Sequence, residues 1–206
     1  MKKIFITSTL LLQLLGLCLI SCHSSDSIYS FSYNGKNYQV VKIKKTWQDA
    51  ALYATEKGGH LVEINDAGEQ TAVYNAIING AKIDSFYTTV NDGGGIGYVW
   101  IGATDKRHEG TWYWDGSNIG RGQNFWNGEG AHGKGNGTVV NGAYINWGGK
   151  STGNFNEPDN YKDKQNAAAI GLADWPKGSG SLGHAGEWND INENNQLYFV
   201  IEYDNK

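Results

Sequence analysis

The sequence predicts an α+β domain in which two helices come early and short strands frame a very long irregular segment. Three observations carry that prediction. Apolar residues recur at helical spacing only ahead of Ser85. Runs rich in aromatic and β-branched residues occur at both ends of the chain and near its middle. Between them, residues 117–186 are mostly Gly, Asn, Asp and Ser with scattered aromatics. At 206 residues the chain is one domain with at most a small appendage. Charged residues are only 18% and aromatics reach 13%, which favours a packed chain over a solvated disordered one. The net charge of -4 excludes a nucleic-acid binder that works through a basic surface. With 2 Cys there is neither a disulfide scaffold nor a multi-cysteine zinc site.

The N-terminus reads as an address. Lys2 and Lys3 precede an apolar run over 4–20, which ends in Leu19-Ile20-Ser21-Cys22. A basic start, an apolar middle and a small residue before the cut describe a secretory signal. The ending resembles a bacterial lipobox, in which Cys22 becomes the acylated first residue. An uncleaved membrane anchor fits less well: the run is shorter than the ~20 residues that span a bilayer and contains Thr7, Ser8, Thr9 and Gln13. The expected division is a lipoprotein signal peptide at 1–21, acylated Cys22 with a polar tether through 28, and a folded domain at 29–204. The expected location is the bacterial cell envelope, with the membrane reached only through the lipid. Cleavage leaves Cys22 as the sole cysteine, so no internal disulfide is available even where one is permitted.

The elements follow in order. Residues 29–43 read as two strands around Asn34-Gly35, a strong hairpin signal. Thr46 caps a helix, with Asp49 in the reciprocal position. Trp47, Ala50, Ala51 and Ala54 share its buried face, and Gly58-Gly59 ends it. Residues 60–64 alternate as a strand. Asp66 and Glu69 form a second capping box, and Ala72, Val73, Ala76, Ile77 and Gly80 continue one face of that helix. Strands follow at 98–103 and 111–114, the latter closed by Asp115-Gly116, and a last one at 196–204. A structureless stretch as long as the intervening one is commonly functional when real. Its tryptophans, Trp126, Trp147 and Trp175, favour an ordered loop over a linker.

Two motif matches fail on context. Gly128-Glu-Gly-Ala-His-Gly133 fits a dinucleotide glycine pattern but neither follows a strand nor opens a helix. Gly149-Lys-Ser-Thr-Gly153 fits a nucleophile elbow, but no strand leads into Ser151. The informative residues are oxygen-rich. Asn156-Glu157-Pro158-Asp159-Asn160 sets two carboxylates about a proline, and Asp163, Gln165, Asn166 and Gly186-Glu187-Trp188-Asn189-Asp190 follow. Carboxylates and amide carbonyls are hard ligands, and Ca²⁺ takes about six to eight of them. A cis Glu157-Pro158 bond would aim the flanking side chains to one side. Acidic and amide residues also crowd any solvated loop, so each cluster alone decides little.

The ordered set Gly58-Gly59-His60-Leu61-Val62, Trp100-Ile101-Gly102, Trp112-Tyr113-Trp114-Asp115-Gly116, Glu157-Pro158-Asp159 and Trp188-Asn189-Asp190 resembles a C-type lectin-like domain over nearly the whole of 29–204. The resemblance implies a double-loop fold: paired terminal strands, two helices flanking small antiparallel sheets, and a long irregular ligand-binding loop. It implies a binding protein rather than an enzyme, although Glu157 and Asp190 could pair in a glycan hydrolase. It also implies Ca²⁺ held by Glu157, Asp159, Gln165, Asn189 and Asp190, with Glu157, Asp159, Asn189 and Asp190 bonding sugar hydroxyls. The expected partners are a glycan or a surface protein.

Four departures qualify the resemblance. The family's four cysteines are absent, at positions near Ala167 and Glu193 among others. Glu-Pro-Asp is a hybrid of the mannose-type Glu-Pro-Asn and galactose-type Gln-Pro-Asp, so Asn189 and Gln165 become the donors and sugar preference does not transfer. Simple mannose or galactose is expected to bind poorly. An auxiliary Ca²⁺ site of some relatives maps onto Asp105 and Glu109, with neutral Asn160, Gln165 and Asn166 where acids are usual. Residues 118–149 exceed the family's usual link. Trp126, Tyr161 and Trp175 are candidates to stack on a sugar, although Trp126, Trp147 and Trp188 read better as core.

Overall fold

The computed structural model describes residues 27–150 and 153–204. The signal segment, Cys22 and most of the tether lie outside the described residues. Strands β1 (Ile28–Tyr33) and β2 (Lys36–Lys45) form the expected hairpin. Asn34 and Gly35 both take positive φ, 47° and 81°, which a two-residue turn matching strand twist requires.

Helix α1 (Trp47–Glu56) starts where Thr46 accepts the Asp49 N–H at 3.1 Å and its hydroxyl donates to the Asp49 carboxylate at 2.8 Å. Its four expected apolar residues are all buried. It ends with Gly59 N–H donating to Ala54 at 3.0 Å across a left-handed Gly58. The strand expected over 60–64 shrinks to β3 (His60–Leu61), although Val62 N–H still donates to Val200 O at 3.0 Å in the same register. Helix α2 (Ala67–Asn75) is capped by Asp66, which accepts the Glu69 N–H at 2.8 Å. It runs into a π-helical turn, Ala76–Gly80. Tyr29 packs against Gly80 there, where an added Cβ would come within 2.3 Å of the ring.

The strands β4 (Tyr98–Thr104), β5 (Thr111–Trp114), β6 (Gln123–Asn127), β7 (Thr138–Val139), β8 (Ala167–Gly171), β9 (Trp188–Ile191) and β10 (Leu197–Tyr203) complete one mixed sheet. Its main path runs β1-β2-β10-β4-β5-β6-β7, with β8 joining β4 to β9. The N- and C-terminal strands pair antiparallel, as expected. The β10–β4 pair is parallel, so the sheet is mixed rather than purely antiparallel. Within the stretch expected to be irregular, β6 and β8 are ordered strands. No described helix is long and apolar enough to cross a membrane.

The long segment is fixed by aromatics. Trp147 bridges Trp188 across parallel backbone, and the rings of Trp112, Trp114, Phe125, Trp147 and Trp188 meet at centroid distances of 4.6 to 6.3 Å. Each such pair contributes ~1 kcal/mol beyond area burial. Several together match the ~2–4 kcal/mol of one disulfide, which this fold does without. The assignment of Trp126, Trp147 and Trp188 to the core holds.

Candidate functional site

β9, which pairs with β8 off the sheet's main path, carries Asn189 and Asp190 in register with Ala169 and Ala168 of β8. The loop 156–165 folds over its end. Glu157-Pro158 is cis. Asp190 is fully buried and clamps the loop: Oδ1 accepts the Asp159 N–H at 3.0 Å and Oδ2 the Asn160 N–H at 2.8 Å. This gathers Glu157, Asp159 and Asp190 so that one oxygen of each lies within 4.8 Å of the others. Glu157 and Asp159 border a cavity of about 300 Å³, which Asn189, Gln165 and Tyr161 also line, with Asp190 buried behind them.

Every carboxylate is braced, but not fully. Glu157 Oε1 accepts Trp175 Nε1–H at 3.0 Å. Asp159 Oδ1 accepts the Tyr161 N–H, and its Oδ2 sits 3.1 Å from His132 Nδ1. Tyr98 gives its hydroxyl proton to Gly93 and so accepts from Asn189 Nδ2 at 2.9 Å. Asn189 Oδ1 and Glu157 Oε2 are then buried acceptors without a hydrogen-bond partner. A buried unmet acceptor costs ~1–3 kcal/mol, more when charged, so such a pair calls for a cation or a proton. The electrostatics agree. Burial, then the charges of Asp190 and Asp159, push the Glu157 carboxyl well above its usual range. Burial and Asp159 push Asp190 up to about 8. Carboxyls this close ionise together only beside a countercharge. The donor set of three carboxylates and an amide carbonyl fits Ca²⁺, a hard cation.

Gln165 departs from its expected role. It lies at the cavity wall, but Nε2 donates to Asp92 O at 2.9 Å and Oε1 accepts the Tyr161 N–H. Both ends thus brace the loop, and the Nε2 expected to serve a sugar is turned away. Among the stacking candidates, Trp126 and Trp175 are buried, Trp175 having turned its indole N–H onto Glu157. Tyr161 alone of the three is exposed, at 47%. Asp105 and Glu109 gather no third carboxylate among the described residues. Asn160 Oδ1 accepts from Gln165 N, and Asn166 Nδ2 donates to Glu193 at 3.1 Å, so those amides serve the loop instead. His132 was not legible in the sequence. It reaches Asp159 because the insertion pairs with the loop backbone, Gly130 N–H donating to Pro158 O and His132 N–H to Asn156 O.

Residues 43–202 match the lectin C-type domain family. The chain belongs to that family. One chain of the snaclec coagulation factor IX-binding protein of Protobothrops flavoviridis is 37% identical over 94 residues, 43% of this chain and 64% of the relative. One chain of the snaclec anticoagulant protein of Deinagkistrodon acutus is 36% identical over 128 residues, 57% of this chain and 72% of the relative. The match therefore spans just under two thirds of the first relative's length. In fold, the chain is similar to the mouse scavenger receptor C-type lectin carbohydrate-recognition domain: TM-score 0.52 and 23% identity over 86% of this chain and 95% of that one. These relatives are animal proteins rather than bacterial lipoproteins. As a C-type lectin domain, the chain is a binding protein and not an enzyme.

Proposed function

We propose that this C-type lectin domain is a Ca²⁺-dependent recognition module that takes a glycan at the Glu157, Asp159, Asn189 and Asp190 cavity. The observation that carries the reading is the pair of buried, unmet acceptors, Glu157 Oε2 and Asn189 Oδ1, beside three converging carboxylates. Bound Ca²⁺ would supply the countercharge and open coordination positions for two neighbouring hydroxyls. The protein's own atoms then decide selectivity. Glu157 and Asp159 accept hydrogen bonds, while one proton each of Gln165 Nε2 and Asn189 Nδ2 is spent inside the fold. An acceptor-rich rim favours ligands whose hydroxyls all donate, and disfavours simple mannose or galactose, which want donors too. A glycan array with Ca²⁺ and with EDTA tests this. Signals that vanish in EDTA support the reading, and a strong mannose-only signal contradicts the selectivity.

A second reading, metal-independent protein recognition, is favoured by one observation. The snaclec relative's name makes it a binder of coagulation factor IX, a protein. Ligand retained in EDTA would select it. We further propose anchoring at the bacterial cell envelope through acylated Cys22, a reading supported by Leu19-Ile20-Ser21-Cys22 alone. Cys22→Ala is expected to move the protein from the detergent to the aqueous phase of a Triton X-114 partition.

A further inference from the structure

The cavity at the carboxylates does not end there. A second cavity, of about 460 Å³, adjoins it and shares Asn91, Asp92 and Tyr161 as a common wall. Its chemistry is the opposite of the first. Lys162, Lys164, Asn192, Asn194 and Asn195 complete it. Among the described residues neither lysine has a carboxylate within ion-pair distance. The one carboxylate in its wall, Asp92, is turned into the protein. It accepts the Asn192 N–H at 2.7 Å and Asn195 Nδ2 at 3.1 Å.

The walls are built rather than accidental. Asp92 ties the Asn192–Asn195 turn with its side chain and the Gln165 side chain with its carbonyl, so one residue holds both cavities in register. On the opposite wall Asn160, Lys162 and Asp163 all take left-handed φ, of 47°, 60° and 54°. Such conformations are costly for residues with a Cβ and persist where the surroundings fix them, often at ligand sites. That backbone places Lys162 Nζ 4.8 Å from the centre of the exposed Tyr161 ring, on the ridge between the two cavities.

We infer that the groove is a subsite for an anionic group, carboxylate or sulfate, on the sugar residue next to the one held at the carboxylates. The inference rests on the glycan reading above. The first sugar sits beside Glu157 and Asp159, and its neighbour crosses Tyr161. Its anion meets Lys162 and Lys164. An anion is excluded from the first cavity by three carboxylates and welcomed in the second by two unpaired ammonium groups. The ligand is therefore an acidic oligosaccharide read in a fixed direction.

Three matched disaccharides test this: neutral galactosyl-N-acetylglucosamine, its sulfate ester, and its C6-oxidised uronate. Affinity is measured in Ca²⁺ and in EDTA for wild type and for K162Q/K164Q, whose substitutions are exposed and are expected to leave the melting temperature unchanged. Wild type in Ca²⁺ should hold one or both acidic probes about tenfold more tightly than the neutral one, the effect of one charge-assisted hydrogen bond. The double variant should bring all three to the neutral affinity. A sulfate-only or uronate-only preference identifies the anion. Equal affinities in wild type overturn the subsite and leave the Ca²⁺-dependent glycan reading standing. Acidic probes held undiminished in EDTA overturn that reading, and the subsite as its extension. Binding of polyglutamate through the two lysines, with no disaccharide bound, overturns the glycan assignment of the groove.

Discussion

Two buried acidic clusters lie under the same loop, and they are not equivalent. At the first, Asp190 accepts two backbone N–H groups, and two further carboxylates converge within 4.8 Å. At the second, Asp105 accepts one, from Gly110 at 2.9 Å, and leaves Oδ1 buried without a partner. There the nearby amides serve the loop, and Glu193 is taken by Lys106 at 3.0 Å. Charge decides the difference. Three convergent carboxylates can bind a dication; one deeply buried carboxyl on which no two others converge is satisfied more cheaply by a proton. Burial, then the charges of Glu109 and Asp190, push Asp105 up to about 9, so the second cluster holds a proton at neutral pH.

The largest expected effect lies at the first cluster. Ca²⁺ binding to the native state alone stabilises it by ~2.7 kcal/mol at a hundred times Kd, about 5–10 °C in a domain of this size. Calorimetric melting with Ca²⁺ and with EDTA should show that rise in wild type and not in Asp190→Ala. Asp105→Ala should keep it. A rise lost equally in both variants would break the comparison and make the two clusters one site.

Next in size is the pH dependence of the second cluster. The folded pKa of Asp105 is raised above the unfolded value, so its contribution to stability is complete below about pH 4 and is lost as pH climbs through about 9. Asp105→Asn mimics the protonated form. It should match wild type below about pH 4, be the more stable of the two at neutral pH, and show a flatter profile between about pH 4 and 9. The same change at Asp190 should be far more damaging, because one of its two clamping oxygens becomes an N–H donor facing another donor. Urea titrations of both variants across pH check this. His132→Ala removes only the exposed brace on Asp159, and should weaken Ca²⁺ no more than about tenfold in a calorimetric titration.

What was legible in the sequence was local chemistry. The Asn34-Gly35 turn, the Thr46 and Asp66 caps and the α1 face each need residues within a few positions of one another, and each is present. The Glu157, Asp159 and Asp190 convergence followed from the family resemblance. What stayed hidden depends on distant packing. β8 is Ala-Ala-Ala-Ile-Gly, buried on both faces, so it lacks alternation and Ile170 is its one β-branched residue. Gln165 loses its expected role to Asp92, and Trp175 turns inward onto Glu157. The His132–Asp159 contact exists only because the insertion pairs with the loop.

The smallest effect concerns how the two clusters are held together without cysteines. The ends of β8 and β9 meet where Asn166 and Lys106 share the Glu193 carboxylate. Glu193→Gln keeps the amide hydrogen bond and removes the charge. A part-exposed ion pair contributes at most ~1 kcal/mol, so the melting temperature should fall by no more than about 2–4 °C. The Ca²⁺-dependent rise should remain, because the ladder Ala168↔Asp190 and the Asp190 clamp lie on the other side of β9's end. A fall several times larger, with the Ca²⁺ response gone, would mean that Glu193 rather than the aromatic cluster replaces the missing disulfide. Asp105, Glu193 and Asp190 would then act as one cooperative unit.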